Sequence, residues 1–255
     1  MRPAVSIVMP VRNEERIVSR AIDSVINQTF SDWELVIVDD ASSDLTPKIL
    51  SEYENKDPRI RVLRNNRCLG ITKSINKGIR ASMGRFIARL DADDWYHPDK
   101  LEEQVKFLES HPDHGVVGTF FILVTPDGDR LKIDLPVNHE QIMKRMAYRN
   151  AFCHSCVMMR KDVLEKVGLY NERLRYAQDY DLFFRILSVS KGANIPKYLC
   201  YRTFRKHPKR RMLESTVNSI VTPLKYWRVL GRNVIYYPLL FRRIVALIRI
   251  LFSLY

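Results

Sequence analysis

The sequence predicts an α/β domain built on a mostly parallel sheet flanked by helices, continued by a basic helical extension at its C-terminal end. Three observations carry that expectation. Short apolar runs alternate with amphipathic stretches over the first ninety residues, as a parallel sheet with covering helices requires. The 255 residues are 46% apolar, enough for a substantial core. The formal charge of +13 is unevenly placed: residues 191–255 hold fourteen Lys and Arg against Glu214, whereas residues 1–190 hold 28 basic and 28 acidic side chains.

Residues 5–9 read as a buried strand, broken by Pro10-Val11-Arg12-Asn13-Glu14-Glu15. Asn13 is placed to cap a helix over 17–27, with Glu14 and Glu15 where the helix dipole favours acids. Its Ile17, Ala21, Ile22, Val25 and Ile26 recur at helical spacing. A second strand at 34–38 runs into Asp39-Asp40-Ala41-Ser42-Ser43-Asp44, and a helix over 46–54 follows. A short strand at 60–63 leads to the loop Arg64-Asn65-Asn66. Gly70 then precedes a helix over 71–82, which Gly84 ends, and residues 86–90 form the fourth strand.

That fourth strand stops at Asp91-Ala92-Asp93-Asp94-Trp95. In an open α/β sheet, ligands gather at the carboxyl ends of the strands. In extended backbone Asp91 and Asp93 face the same side, and two carboxylates aimed at one point suit Mg²⁺ or Mn²⁺, which completes its shell with water and substrate phosphate. The plainer alternative is a solvated acidic turn. Neither GxGxxG nor a Walker loop is present, so a bound diphosphate would depend on such a cation for neutralisation.

Beyond this, a helix is expected at 99–110, a strand at 115–124 and a tight turn at 126–129. Residues 131–150 read as an insert holding a helix over 139–148, followed by a strand at 156–159 and a helical turn at 161–167 closed by Gly168. In Gln178-Asp179-Tyr180-Asp181-Leu182, the residues Leu182, Phe183, Ile186 and Leu187 form the buried stripe of a further helix. Asp179 would serve as its cap if nothing more is asked of it.

With these segments in order, the chain resembles family 2 of the glycosyltransferases, which have the GT-A fold. The resemblance rests on Pro10 to Glu15 after a strand; on Val36-Ile37-Val38-Asp39-Asp40; on Asn65 to Gly70 with Asn76-Lys77-Gly78-Ile79, Gly84 and Leu90-Asp91-Ala92-Asp93-Asp94; and on Gln178-Asp179-Tyr180-Asp181-Leu182. It covers residues 4–205. It implies a catalytic domain over 1–205, with a nucleotide-binding half at 1–95 and an acceptor half at 96–205, and an appended segment at 206–255.

The resemblance also implies roles. Pro10, Arg12 and Glu14 would line the base and ribose, and Asp40 with Asp39 would read a uracil edge. Asp91 would lie near the ribose and Asp93 would bind Mn²⁺ or Mg²⁺. Asp179 would be the general base of an inverting transfer from a nucleotide-sugar, with Gln178 where the family commonly has Glu. His154 would lie near the sugar. An Arg-x-His segment near the domain's end fits Phe204-Arg205-Lys206-His207, giving His207 as a further metal contact, or Tyr201-Arg202-Thr203-Phe204, which lacks the His.

The tail adds a partner. Residues 239–255 are apolar apart from Arg242, Arg243, Arg249 and Ser253, too interrupted to span a bilayer but suited to an interfacial helix with arginines at lipid headgroups. A helix packed on the catalytic domain or on another subunit is the alternative. No secretion leader is evident, so the expected position is cytoplasmic and peripheral on the membrane. Cys68, Cys153, Cys156 and Cys200 read as reduced thiols, because no second pair completes a zinc set. A catalytically silent sugar-nucleotide-binding module, a basic nucleic-acid-binding protein and a DxD hydrolase are the rival classes. The hydrolase motif is disfavoured by Trp95, where Thr or Val would stand.

Overall fold

A computed structural model describes residues 2–205 and 209–232, together with Phe241 and Val245. The chain runs β1 (Val5–Val11), α1 (Val18–Ile26), β2 (Trp33–Asp39), α2 (Thr46–Lys56), β3 (Ile60–Arg64), α3 (Ile71–Ala81) and β4 (Phe86–Arg89). It continues through β5 (Trp95–Tyr96), α4 (Lys100–Ser110), β6 (His114–Val124), β7 (Arg130–Ile133) and α5 (His139–Met146). A 3₁₀ turn (His154–Cys156) then leads to β8 (Met158–Arg160), α6 (Lys161–Val167), α7 (Gln178–Leu187), β9 (Lys191–Thr203), α8 (Lys209–Lys225) and α9 (Trp227–Leu230).

Among the described residues one sheet takes in all nine strands in the order β3-β2-β1-β4-β8-β6-β9-β5, with β7 paired on β6. The β3, β2, β1 and β4 strands are parallel, so the loops leaving β1, β2 and β4 emerge on one edge. Beyond β4 the pairing is mixed: β8 is antiparallel to both β4 and β6, whereas β9 runs parallel to β6. The strand expected at 115–124 is β6, whereas β7 and the long β9 occupy stretches in which the sequence showed an insert or no pattern. In β9, Pro196 and exposed Lys197 interrupt the alternation at a register shift against β6.

Side-chain alternation along the sheet divides the core in two. Ile7 and Met9 face the cluster with α1 and α4, whereas Val8 and Ile87 face the cluster with α3 and α7. On that second face Gly78 lets α3 lie close on β1, since a Cβ there would come within 2.6 Å of Val8 Cγ1.

Asn13 does not cap α1. No side chain caps that helix, and Glu14 and Glu15 precede it rather than filling its first turn. Asn13 instead ties two loops together. Its side-chain oxygen accepts the Ser43 N–H at 2.9 Å, and its own N–H donates to Ser42 Oγ at 3.0 Å. It adopts a left-handed φ of 54°, a conformation asparagine tolerates better than most residues.

Residues 214–230 of the extension pack on the body. The Tyr226 ring stacks on Phe184 of α7 with centroids 5.0 Å apart, and Leu230 is buried in the cluster beneath. Among the described residues no helix is long and apolar enough to cross a membrane. The interfacial helix expected over 239–255 falls outside the described residues, apart from Phe241 and Val245.

Candidate active site

At the carboxyl edge of the parallel strands the β1 and β4 loops enclose a cleft of about 580 Å³. Pro10, Arg12, Glu14, Asp40, Asp91 and Asp93 all line it. Asp39 does not. As the last residue of β2 its side chain turns the other way, accepting the Ser42 N–H at 3.0 Å with Arg64 3.9 Å away. The pair Asp39 and Asp40 therefore does not act as a unit: Asp40 faces the cleft and Asp39 braces the turn beneath it.

Asp40 is held by the loop before α3. Its carboxylate accepts the Leu69 and Gly70 N–H groups at 2.8 and 2.9 Å and the Asn65 side-chain amide at 2.8 Å. Burial alone would raise this carboxyl. The hydrogen bonds outweigh it and hold the group below its ordinary value. Gly70 can enter this arrangement because it adopts a φ of 89°. Cys68, an exposed free thiol, accepts from Arg12 at 3.0 Å and so orders the mouth of the cleft; the other three cysteines are buried and also free.

The acidic loop is braced from behind. Arg89, one of the largest fully buried side chains, donates to the carbonyls of Val8 and Leu90 and pairs with Asp91. Burial would raise Asp91, but Arg89, His154 and Arg202 hold it down to about 2. Asp93 moves the other way, raised first by burial and then by repulsion from Asp91. Asp94 is 2% exposed and is pushed up to about 7 by burial and by Asp91 and Asp93. It accepts the Thr203 N–H at 2.9 Å and shares the Ser155 hydroxyl with Asp91. Ser155 has one proton to give, so a protonated Asp94 donating to Ser155 lets Ser155 donate in turn to Asp91.

Arg205 crosses the mouth of the cleft, pairing with Glu14 at 2.7 Å and with Asp93 at 2.5 Å. The crowding that raises Asp93 is the kind a cation relieves, and the donors facing the cleft are hard oxygens, as Mn²⁺ or Mg²⁺ prefers. Among the described residues no group of three or more His, Cys, Asp or Glu side chains converges to hold a cation by itself. The residues therefore fit a cation that shares its shell with a ligand's phosphates. His207, the further metal contact expected from the sequence, lies outside the described residues.

A second cavity, of about 300 Å³, adjoins the first, and Arg202 lines both. Asp179 and His154 face it. Asp179 is not the cap of α7: the cap is Ala177, in a left-handed conformation at φ 59°, and no side chain caps the helix. Its carboxylate, in the first turn, accepts from Asn150 at 2.9 Å. Gln178 does not face the cavity; its side-chain oxygen is buried without a partner. His154 contacts Tyr170 Oη at 2.8 Å, and burial followed by Arg89 lowers it to about 4, so it stands neutral at pH 7.

The sequence reading did not single out Arg89 or Ser155. A lone arginine inside a buried apolar strand, directly before an acidic loop, was the available signal for Arg89; nothing local marked Ser155.

A family model described as glycosyl transferase family 2 matches residues 6–168. The amylovoran biosynthesis glycosyltransferase AmsE of Erwinia amylovora is 32% identical over 200 residues, covering 76% of this chain and 74% of its own length. Among solved structures, S. aureus TarS 1–349 in complex with UDP-GlcNAc superposes with a TM-score of 0.72 at 19% identity, over 93% of this chain and 72% of that one. Mannosyltransferase PcManGT from Pyrobaculum calidifontis, in complex with GDP-Man and Mn²⁺, gives 0.69 at 18% identity, over 96% and 75%. The fold is thus that of GT-A transferases.

Proposed function

The chain belongs to glycosyl transferase family 2, and we propose that it transfers a sugar from a UDP-sugar to a hydroxyl of a glycan or lipid-linked acceptor, inverting the configuration at the transferred carbon. One observation carries this reading. A cleft lined by Asp91 and Asp93 adjoins a cavity lined by Asp179, and the two share Arg202. Direct displacement needs such separation: the leaving diphosphate and the attacking hydroxyl must lie on opposite sides of the sugar.

Pro10, Arg12 and Glu14 line the nucleotide's place, and Asp40 shapes its floor through the loop it orders. Asp93 would hold a divalent cation, with Asp91 beside it, and that cation would neutralise charge on the departing diphosphate. Arg205 must then leave Asp93, and its guanidinium is free to meet phosphate oxygens. Asp179 accepts the proton of the attacking hydroxyl, a role worth about 10²–10⁴-fold in rate. The Asn150 amide fixes which carboxylate oxygen is left for that proton.

The nucleotide and cation in this reading are supported by the complexes reported for TarS and PcManGT, and a growing glycan as acceptor by the biosynthetic name of AmsE. Peripheral contact with an anionic membrane surface on the cytoplasmic side is supported by the basic excess of residues 191–255 and by the exposed Val221, Leu224 and Trp227.

A panel of nucleotide sugars with Mn²⁺, scored for donor hydrolysis and thermal stabilisation, tests the donor. A UDP-sugar should stabilise the chain, and Asp93→Asn should remove the metal-dependent part of that effect. Equal stabilisation of both proteins, with and without metal, would sink the assignment of Asp93.

A further inference from the structure

The cavity that holds Asp179 differs electrically from the acidic cleft beside it. Asp179 is the one carboxylate among its described lining residues, and Arg145, Arg149 and Arg202 stand against it. Arg145 lies near the end of α5 and Arg149 one turn on, its N–H donating to the Arg145 carbonyl at 2.8 Å. The two guanidinium groups therefore sit on one face, where like charges repel. Arg145 is lowered by burial and, next, by Arg149. Its Nε is buried and has no hydrogen-bond partner.

None of the three arginines forms an ion pair among the described residues. The contrast within α5 is direct: Lys144, the neighbour of Arg145, pairs with Glu140 at 2.7 Å. Two adjacent guanidinium groups, one with a buried unsatisfied N–H, are costly to keep unless something fills the space before them. Their forked donors match the oxygens of a phosphate or carboxylate. Ser215 and Ser219 of α8 also line the cavity, the Ser219 hydroxyl donating to the Thr216 carbonyl at 2.9 Å.

We propose that this cavity is the acceptor site and that Arg145 and Arg149 bind an anionic group, a phosphate or a carboxylate, on the acceptor. The assignment to the acceptor rests on the transferase reading above. The basic extension has a second use in this arrangement, because its positive field draws an anionic acceptor toward Asp179.

The test is calorimetric titration of the whole chain, its cleft saturated with UDP and Mg²⁺, with glucose 6-phosphate, glucuronate and glucose. At least one of the two anions should bind and glucose should not. Binding of the phosphate ester alone identifies a phosphorylated acceptor, and binding of glucuronate alone an acidic sugar. Arg149→Gln should weaken the bound anion about tenfold, and Arg145→Gln with Arg149→Gln by more, with UDP affinity unchanged. Should the double variant lose stability, Arg149→Gln carries the test, since that side chain is exposed. Absence of anion binding, equal binding of glucose, or anion binding unaltered in both variants overturns the proposal. The UDP titration is read separately: its failure counts against the donor assignment, while anion binding lost with the arginines still supports the anion site.

Discussion

The two cavities that meet at Arg202 are built by opposite means. The acidic cleft takes its acids from three loops on one sheet edge, at Glu14, Asp40 and Asp91 to Asp94, and draws in Arg205 to neutralise them. The neighbouring cavity takes its charge from arginines and gathers Asn150, His154, Asp179 and Ser215 from separate elements. In the proposed reading one side meets a cation with a diphosphate, the other a hydroxyl and an oxyanion. The difference teaches that one cavity can be assembled from neighbouring loops while the one beside it draws on distant parts of the chain.

Substitutions can break that contrast, and the largest effect is expected at Asp179, the proposed base. Asp179→Asn should reduce transfer by about 10²–10⁴-fold and leave calorimetric UDP affinity within error; near-normal turnover would remove Asp179 from the chemistry. Next is Arg89→Met, which strips Asp91 of its buried counter-charge. Breaking a buried pair costs about 3–5 kcal/mol, so the thermal midpoint should fall by many degrees, and an unchanged midpoint would show that Arg89 is dispensable.

The acidic cleft was legible because its residues are local in sequence. Strand ends carry their acids into adjoining loops, and Asp40, Asp91 and Asp93 could be named from a few neighbouring residues. Asp39 and Asn13 were misread for a reason visible in the structure. Alternation at the end of β2 turns Asp39 away, and a left-handed Asn13 binds a neighbouring loop instead of starting a helix. The second cavity was hard to read because β7 and β9 lack a clean period, and because Arg145 and Arg149 sit in a stretch that reads as an insert. Ser155 gains its meaning only when β8 and β4 pair and bring it to Asp91 and Asp94.

Smaller effects sharpen the comparison. Asp40 is lowered in the folded chain, so the unfolded chain takes up its proton first as pH falls. The stability it contributes is full above about pH 4 and is lost as pH drops through its lowered value. Asp40→Asn should therefore flatten the acid limb of a melting-temperature profile below about pH 4; an acid limb identical to wild type would contradict the hydrogen-bond account. Smallest is Arg205→Ala. Arg205 is 40% exposed, so losing its pairs should cost no more than about 1 kcal/mol by chemical denaturation, and a larger loss would make it a structural strut rather than a movable cover.

Asp181 has a consequence for how this protein could be shortened. It is 2% exposed, and its carboxylate takes Lys225 Nζ at 2.9 Å and Tyr226 Oη at 2.8 Å from the extension, and Arg185 Nε at 3.0 Å from its own helix. Trimming the chain before residue 225 would leave a largely enclosed carboxylate with Arg185 as its remaining ion pair, two residues along α7 from Asp179. Truncation at that point would therefore disturb the helix that carries Asp179 rather than merely remove an appendage.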